Sequence, residues 1–231
     1  MRILIIVTYF SYTSALASNY KFVPPYYNDP RIHNLGNTGL GGRIHAYFAP
    51  YATKIIDKLR YDNVDLRKEF LNFYTNYYYK KYNHKPKIID LCCGVGISTH
   101  ESAIGIDTSP DMINRAKKLY PNRFVIANAE HYGAINEFDV ATIMFSLHEM
   151  PSYGYKNVVK NAKYISQNEV LIMDISPTYK PSKLMLSGEP YLENYKKNIN
   201  CYLKSEGFKS VNLIENHVTL WHYKQKIKNK K

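Results

Sequence analysis

Ile88-Ile89-Asp90-Leu91-Cys92-Cys93-Gly94-Val95-Gly96, followed by Ala103-Ile104-Gly105-Ile106-Asp107, is the stretch on which the fold turns. Each apolar run ends in an acid, and a glycine turn lies between them. Buried parallel strands read as continuous apolar runs, and a nucleotide-type ligand sits beyond their carboxyl ends. Glycines in the turn let the backbone approach a ligand closely, and Asp107 can accept hydrogen bonds from two ribose hydroxyls. Asp107 follows Asp90 by only seventeen positions. The crossover helix, expected from Ser98 to Ser102, therefore has little more than one turn.

Outward from this stretch the pattern alternates strand and helix. Strands are expected at Ile88 to Cys92, Ala103 to Asp107, Arg123 to Ala127, Asp139 to Phe145 and Glu169 to Asp174. Helices are expected at Asp111 to Lys118, announced by Ser109-Pro110, at Tyr155 to Ile165 and at Leu192 to Ser205. Gly207 to Glu215 and His217 to Lys224 read as a closing hairpin. Upstream, Ile44 to Leu59 and Val64 to Tyr82 have apolar residues at helical spacing, the second starting at the cap candidate Asn63. The expected fold is α/β: a doubly wound, mostly parallel, seven-stranded Rossmann-like sheet with a C-terminal antiparallel hairpin and an N-terminal loop and helical extension. The divisions expected are a leader over 1–17, an N-terminal cap over 18–85 and a ligand-binding domain over 86–231.

Dinucleotide enzymes need G-x-G-x-x-G, because a pyrophosphate sits on the helix N-terminus. Here Gly94 and Gly96 fill the first two places and Thr99 the third, with a stunted helix behind. Asp90-x-Cys92-Cys93-Gly94-x-Gly96 instead resembles the D-x-G-C-G-x-G motif of class I S-adenosylmethionine-dependent methyltransferases, with Cys92 where that family usually has Gly. The stretch from Ile106 to Met112 is similar to the same family's second motif. Together with His148-Glu149 and the Ser187-Gly188-Glu189-Pro190-Tyr191 region, these motifs resemble methyltransferase-like proteins of diatoms and related algae. The resemblance implies S-adenosylmethionine as cofactor. It places Asp90, Cys92, Gly94, Val95 and Gly96 at the amino-acid part of that molecule, Asp107 and Thr108 at its ribose, and Met112, Asn128, Ala129 and Glu130 around its adenine. Phe145 and Ser146 would line the methyl donor.

Phe145-Ser146-Leu147-His148-Glu149-Met150-Pro151 then sits where a methyl acceptor belongs. Members of the superfamily that methylate nitrogen in nucleic acids and proteins carry an acid or Asn, two prolines and an aromatic here; this chain does not, and looks like small-molecule enzymes. His148 is the candidate proton acceptor, because imidazole titrates near neutrality. His148, Glu149, Asp174, Tyr179, Glu189 and Tyr191 are the candidate acceptor-binding residues, the last two from a long connection that suits a lid. The Asn34-Leu35-Gly36-Asn37 and Gly41-Gly42-Arg43 segments are candidates for a lid from the opposite side.

The net charge of +12 raises nucleic acid as a partner. Between Ile88 and Met150, however, Asp90, Glu101, Asp107, Asp111, Glu130, Glu137, Asp139 and Glu149 outnumber Arg115, Lys117, Lys118 and Arg123, so the positive excess lies in the flanks. This argues against nucleic acid and for a small-molecule acceptor. An RNA or protein methyltransferase, a non-catalytic S-adenosylmethionine-binding module and a nicotinamide oxidoreductase are the competing readings. Cys92, Cys93 and Cys201 offer no C-x-x-C, and no H-x-x-x-H exists, so neither a disulfide framework nor a structural metal is expected. Met1-Arg2, an apolar run to Phe10 and Ala15-Leu16-Ala17 have the form of a cleavable leader. That form implies the secretory route or a plastid reached through it, and a cytoplasmic protein otherwise. No segment is apolar enough to span a membrane. The oligomeric state is not encoded in these patterns.

Overall fold

The structure, a computed structural model, describes residues 23–121 and 123–225. The leader expected over 1–17 and most of the lysine-rich tail lie outside the described residues. Two helices come first, α1 (Gly39–Arg60) and α2 (Leu66–Tyr82). Then follow β1 (Ile88–Leu91), β2 (Ile104–Asp107), α3 (Pro110–Leu119), β3 (Arg123–Ile126), β4 (Phe138–Met144), α4 (Ser152–Ile165) and β5 (Ser166–Ile175). The chain ends in α5 (Lys183–Gly188), α6 (Leu192–Ser205), β6 (Lys209–Ile214) and β7 (Val218–Lys224). The seven strands form one sheet in the order β3-β2-β1-β4-β5-β7-β6. β1 pairs in parallel with β2 on one side and β4 on the other, while β7 runs antiparallel to both β5 and β6. The strand order therefore reverses between β1 and β4, which opens a crevice at their carboxyl ends. This is the expected fold.

Alternation along β1 shows why both faces are covered. Ile89 and Leu91 point into the main core with Tyr155, Val158, Tyr195 and Trp221, under α4 and α6. Ile88 points the other way, against Tyr74 and Tyr78 of α2 together with Val140 and Leu171. Burying an aromatic ring of this kind contributes about 2–3 kcal/mol, and both phenols are satisfied: Tyr74 donates to Glu169 Oε2 at 2.8 Å, and Tyr78 Oη accepts from Asn168 Nδ2 at 2.7 Å. α3 starts as its sequence directs. Pro110 occupies the first turn and the Ser109 hydroxyl accepts from the Met112 amide at 3.2 Å.

Three expectations need correction. No helix forms between β1 and β2; residues 98–102 are turns only. Too few residues separate the strands, and the Thr99 hydroxyl is drawn back to Asp90 Oδ2 at 2.7 Å. α2 supplies cover on that face instead, with Tyr74 and Tyr78 packed beside Ala103. The cap of α2 is Asp65, whose carboxylate accepts from the Lys68 amide at 3.1 Å, whereas Asn63 takes a left-handed turn with φ 62°. The Gly41-Gly42-Arg43 segment, expected as part of a lid, lies inside helix α1, and within the long connection after β5 the short α5 forms on the Ser182 cap.

Candidate functional site

A cavity of about 230 Å³ lies over the carboxyl ends of β1, β2 and β4. Of the residues expected to hold the cofactor, Cys92, Gly94, Val95, Asp107, Thr108, Met112, Asn128, Ala129, Phe145 and Ser146 line it. Cys92, the first residue after β1, has φ 60°, and Phe145, the first after β4, has φ 52°. Such angles are strained for a residue with a side chain. Here they turn the chain sharply off two adjacent strands and so clear the space between them. The left-handed angle also explains why glycine suits the position of Cys92. Gly94 has φ 54°, and a Cβ there would meet no protein atom within 4 Å, so this stretch of backbone is bare toward the cavity.

Asp107 faces that space without being consumed by its neighbours. Its Oδ2 accepts from the Gly94 amide at 2.9 Å and its Oδ1 from the Ser109 amide at 2.8 Å. An ionised carboxylate has about four acceptor sites, so it can still receive two hydroxyls. Burial pushes its carboxyl up to about 6, although the Ser109 and Gly94 amides pull the other way. Burial likewise pushes the thiols of Cys92 and Cys93 up, so both are packing groups rather than reactive thiolates.

Asp90, Gly96 and Glu130 do not line the cavity. Asp90 is turned into the sheet, where the hydroxyls of Thr99 and Thr142 donate to it at 2.7 and 2.8 Å, and burial pushes its carboxyl up to about 7. It anchors the loop from behind. Gly96 gives room rather than contact, since a Cβ there would lie 2.7 Å from the Phe124 ring. Glu130, expected beside the adenine, lies behind the cavity wall. Buried there, it receives the Tyr26 hydroxyl and the Asn157 amide, each at 2.7 Å. Asn128 does line the cavity, and its Oδ1 accepts from the Glu130 amide at 2.8 Å.

On the acceptor side, the single turn Leu147–Glu149 reverses the expected roles. His148 is buried and its Nδ1 is bound to Asp174 Oδ1 at 2.5 Å. Burial disfavours the imidazolium, yet Asp174 outweighs it and holds the ring up to about 9. His148 does not line the cavity and its Nδ1 is engaged by Asp174, so the structure gives the ring a positioning role in place of the expected one of proton acceptor. Asp174 is buried with it and also receives the Leu147 amide at 2.9 Å. Glu149 is the residue that reaches the cavity. Burial works against its charge, but His33, His148 and His45 outweigh it and hold the carboxyl low. Tyr179 stacks on His217 at 4.9 Å beside a separate depression, and Tyr191 donates to Asp29 at 2.8 Å. Glu189 pairs with His33 Nδ1 at 3.1 Å just outside the wall. Burial opposes the His33 charge, but Glu149 and Glu189 hold the ring up to about 10.

The N-terminal extension contributes much of the wall that the sequence did not assign. Tyr26, Tyr27, Asn37, His45, Thr53 and Arg67 all line the cavity. Of these, Asn37 belongs to a segment expected to form a lid. The Tyr27 hydroxyl donates to the Asn37 carbonyl at 3.1 Å, and Gly154 makes room for Tyr26, whose ring a Cβ there would meet at 2.7 Å. Arg67 is the one Lys or Arg among the lining residues. Its Nη1 donates to Asp57 Oδ1 at 3.1 Å and its guanidinium lies 4.3 Å over the Phe145 ring.

Residues 88–168 match a family model described as a methyltransferase domain. The fold is shared with magnesium protoporphyrin IX methyltransferase from Synechocystis PCC 6803 with bound S-adenosylhomocysteine, at 13% identity, 90% of this chain, 100% of the other and a TM-score of 0.54. It is also shared with the plantazolicin methyltransferase BamL in complex with a triazolic desmethylPZN analog and S-adenosylhomocysteine, at 18% identity, 80% of this chain, 96% of the other and a TM-score of 0.53. The PH0226 protein from Pyrococcus horikoshii OT3 is similar over 78% of this chain and 98% of its own, at 15% identity and a TM-score of 0.54. No curated protein matches the chain in sequence.

Proposed function

We propose that this chain is an S-adenosylmethionine-dependent methyltransferase that moves a methyl group directly onto a small-molecule acceptor. One observation carries the reading: the Asp107 carboxylate and the bare Gly94 backbone face the same cavity at the switch point of the sheet. The methyltransferase-domain match over residues 88–168 supports it, as do fold neighbours crystallised with S-adenosylmethionine or its demethylated product. Asp107 receives the ribose hydroxyls. Met112, Asn128 and Ala129 flank the adenine. Arg67, the one Lys or Arg on the cavity wall, suits the carboxylate of the methionine part.

When bound, S-adenosylmethionine supplies a methyl on a sulfonium; the acceptor's lone pair forms the new bond as the S–CH₃ electron pair leaves on sulfur. The protein's part is alignment and exclusion of water. Phe145 and Met144 give the methyl an apolar wall, and Tyr26, Tyr27 and His45 close the cavity from the N-terminal side. That closure favours an acceptor small enough to enter, over RNA or a folded protein. With His148 off the cavity wall and Glu149 held low, no strong base faces the reaction, so the acceptor arrives as an available nucleophile or releases its proton to water.

Calorimetry with S-adenosylhomocysteine tests the reading. The wild type binds it, and Asp107→Ala weakens binding about 30-fold, or about 2 kcal/mol, with the fold intact. Absence of binding to the wild type would remove the proposal.

A further inference from the structure

We propose that His33, Glu149 and Glu189, with His45 beside them, form a site for a divalent ion of the zinc or cobalt kind at the rim of the cavity. The three residues come from distant parts of the chain. His33 lies in the turn Ile32–Asn34, Glu149 in the turn after β4, and Glu189 at the end of α5. His33 Nε2 is 3.5 Å from Glu149 Oε2 and His33 Nδ1 is 3.1 Å from Glu189 Oε1. One donor atom from each lies within 4.8 Å of the others. Zinc takes nitrogen and oxygen ligands at about 2.0–2.2 Å, so an ion held by one His33 nitrogen draws the two carboxylates in around it.

A second observation points to a missing ligand. Among the described residues, six buried side-chain polar atoms have no hydrogen-bond partner, and His33 Nε2, His45 Nδ1 and Glu189 Oε2 are three of them. Buried polar atoms are ordinarily satisfied, and an ion is one of the few things that explain a group of exceptions. The rings of His33 and His45 have their centroids 3.9 Å apart, so a second imidazole lies beside the three-donor cluster. The backbone is shaped to suit. His33 and Asn34 are both left-handed, with φ 53° and 59°. A Cβ on Gly188 would lie 2.8 Å from Asn34 Nδ2 and 3.3 Å from His33 Cα. Glycine before Glu189 thus permits the His33 turn to sit against it. An imidazole with two carboxylates, and a second imidazole beside it, suits zinc-like ions better than calcium or magnesium, which take oxygen alone.

Glu149 is shared between this cluster and the cavity wall. An open coordination position there would hold an oxygen of the acceptor. This last step rests on the methyltransferase reading; metal binding does not.

The test uses the full chain, stripped with chelator and titrated with Co²⁺ and then Zn²⁺, read by visible absorption and calorimetry. One equivalent is expected to bind with micromolar or tighter affinity and to give d–d bands, with a rise in melting temperature. Glu189→Gln and His33→Gln, each checked for an intact fold by S-adenosylhomocysteine binding and melting, should each weaken the metal at least tenfold. Wild-type protein that gives no bands at one equivalent overturns the site and leaves a protonated His33 clasping two carboxylates. Equal metal affinity in the wild type and both variants overturns it too. Metal binding without S-adenosylhomocysteine binding would keep the site and remove the methyltransferase reading instead.

Discussion

Near the start of β5, Glu169 is buried and all its bonding capacity is spent within the protein. Its Oε2 receives Tyr74 at 2.8 Å and pairs with His222 at 2.5 Å, while Oε1 receives Lys81 at 3.2 Å and Tyr82 at 3.3 Å. Toward the opposite end of the same sheet, Glu189 Oε2 and His45 Nδ1 have no hydrogen-bond partner, and His33 Nε2 has only the Glu149 carboxylate, 3.5 Å away and outside hydrogen-bond geometry. The protein can therefore satisfy a buried carboxylate fully where only the fold is at stake. At the rim of the cavity, three of the six unsatisfied buried atoms among the described residues lie in one cluster. That contrast separates a cluster that holds α2 and β7 to the sheet from one arranged to receive something else.

The largest test of this contrast is removal of each carboxylate. Glu169→Ala strips Tyr74, Lys81 and His222 of their common partner and should cost about 3 kcal/mol. Glu189→Gln keeps an oxygen for His33 and loses no satisfied network, so its cost should stay within about 1 kcal/mol. Urea unfolding of the two variants beside the wild type measures both. Equal losses would mean that the rim cluster holds the fold as the Glu169 cluster does, and the distinction would collapse.

What the sequence revealed and what it hid divide along a similar line. The strand ends, the glycine turn and Asp107 are consecutive or nearly so, and local chemistry dictates them. The lid is different: the Tyr26 hydroxyl meets Glu130 across 104 positions, and Tyr191 meets Asp29 across 162. No periodicity records such pairings. The same holds for the metal-ligand spacing sought in vain, since His33, Glu149 and Glu189 meet only in three dimensions. Chemistry alone points to His148, not to its neighbour Glu149, as the group to face the acceptor. In a single turn the backbone decides which neighbour faces inward, and here Asp174 claimed the imidazole.

Acidification should separate the two ends of the sheet. Burial works against the Glu169 charge, but its hydrogen bonds to His222, Tyr74 and Lys81 hold the carboxyl down to about 2, from an ordinary 4.5. Because the folded value is the lower one, the stability it contributes is present above pH 4.5 and is lost as the pH falls toward 2. Asp107 behaves oppositely. Burial, with Glu149 adding to it, holds its carboxyl up at about 6. Its charge costs stability above that value, and protonation on the way down removes the cost. Ribose recognition needs the ionised form, however, so S-adenosylhomocysteine affinity should fall as the pH drops through about 6. Between pH 4.5 and 6 the chain should be folded yet bind poorly. Calorimetry and circular dichroism on one pH series check this, and affinity unchanged down to pH 4.5 would remove Asp107 from the ribose site.

The smallest expected effect concerns the strain at the cavity itself. The sheet's opening end holds Cys92 at φ 60°, where glycine is free of the Cβ penalty, whereas none of the residues of the Glu169 cluster is left-handed. Cys92→Gly removes that penalty of roughly 1–2 kcal/mol, but it also deletes a half-buried thiol and adds the unfolded-state entropy of glycine, about 0.5–1 kcal/mol. The terms oppose each other, so the net gain should be no more than about 1 kcal/mol, seen as a slightly higher urea midpoint with an unchanged slope. Loss of more than about 1 kcal/mol would show that the thiol's packing against the core outweighs the strain. The left-handed angle would then be held in place by the cysteine itself, and its shaping of the cavity would be a consequence of packing rather than a demand of the site.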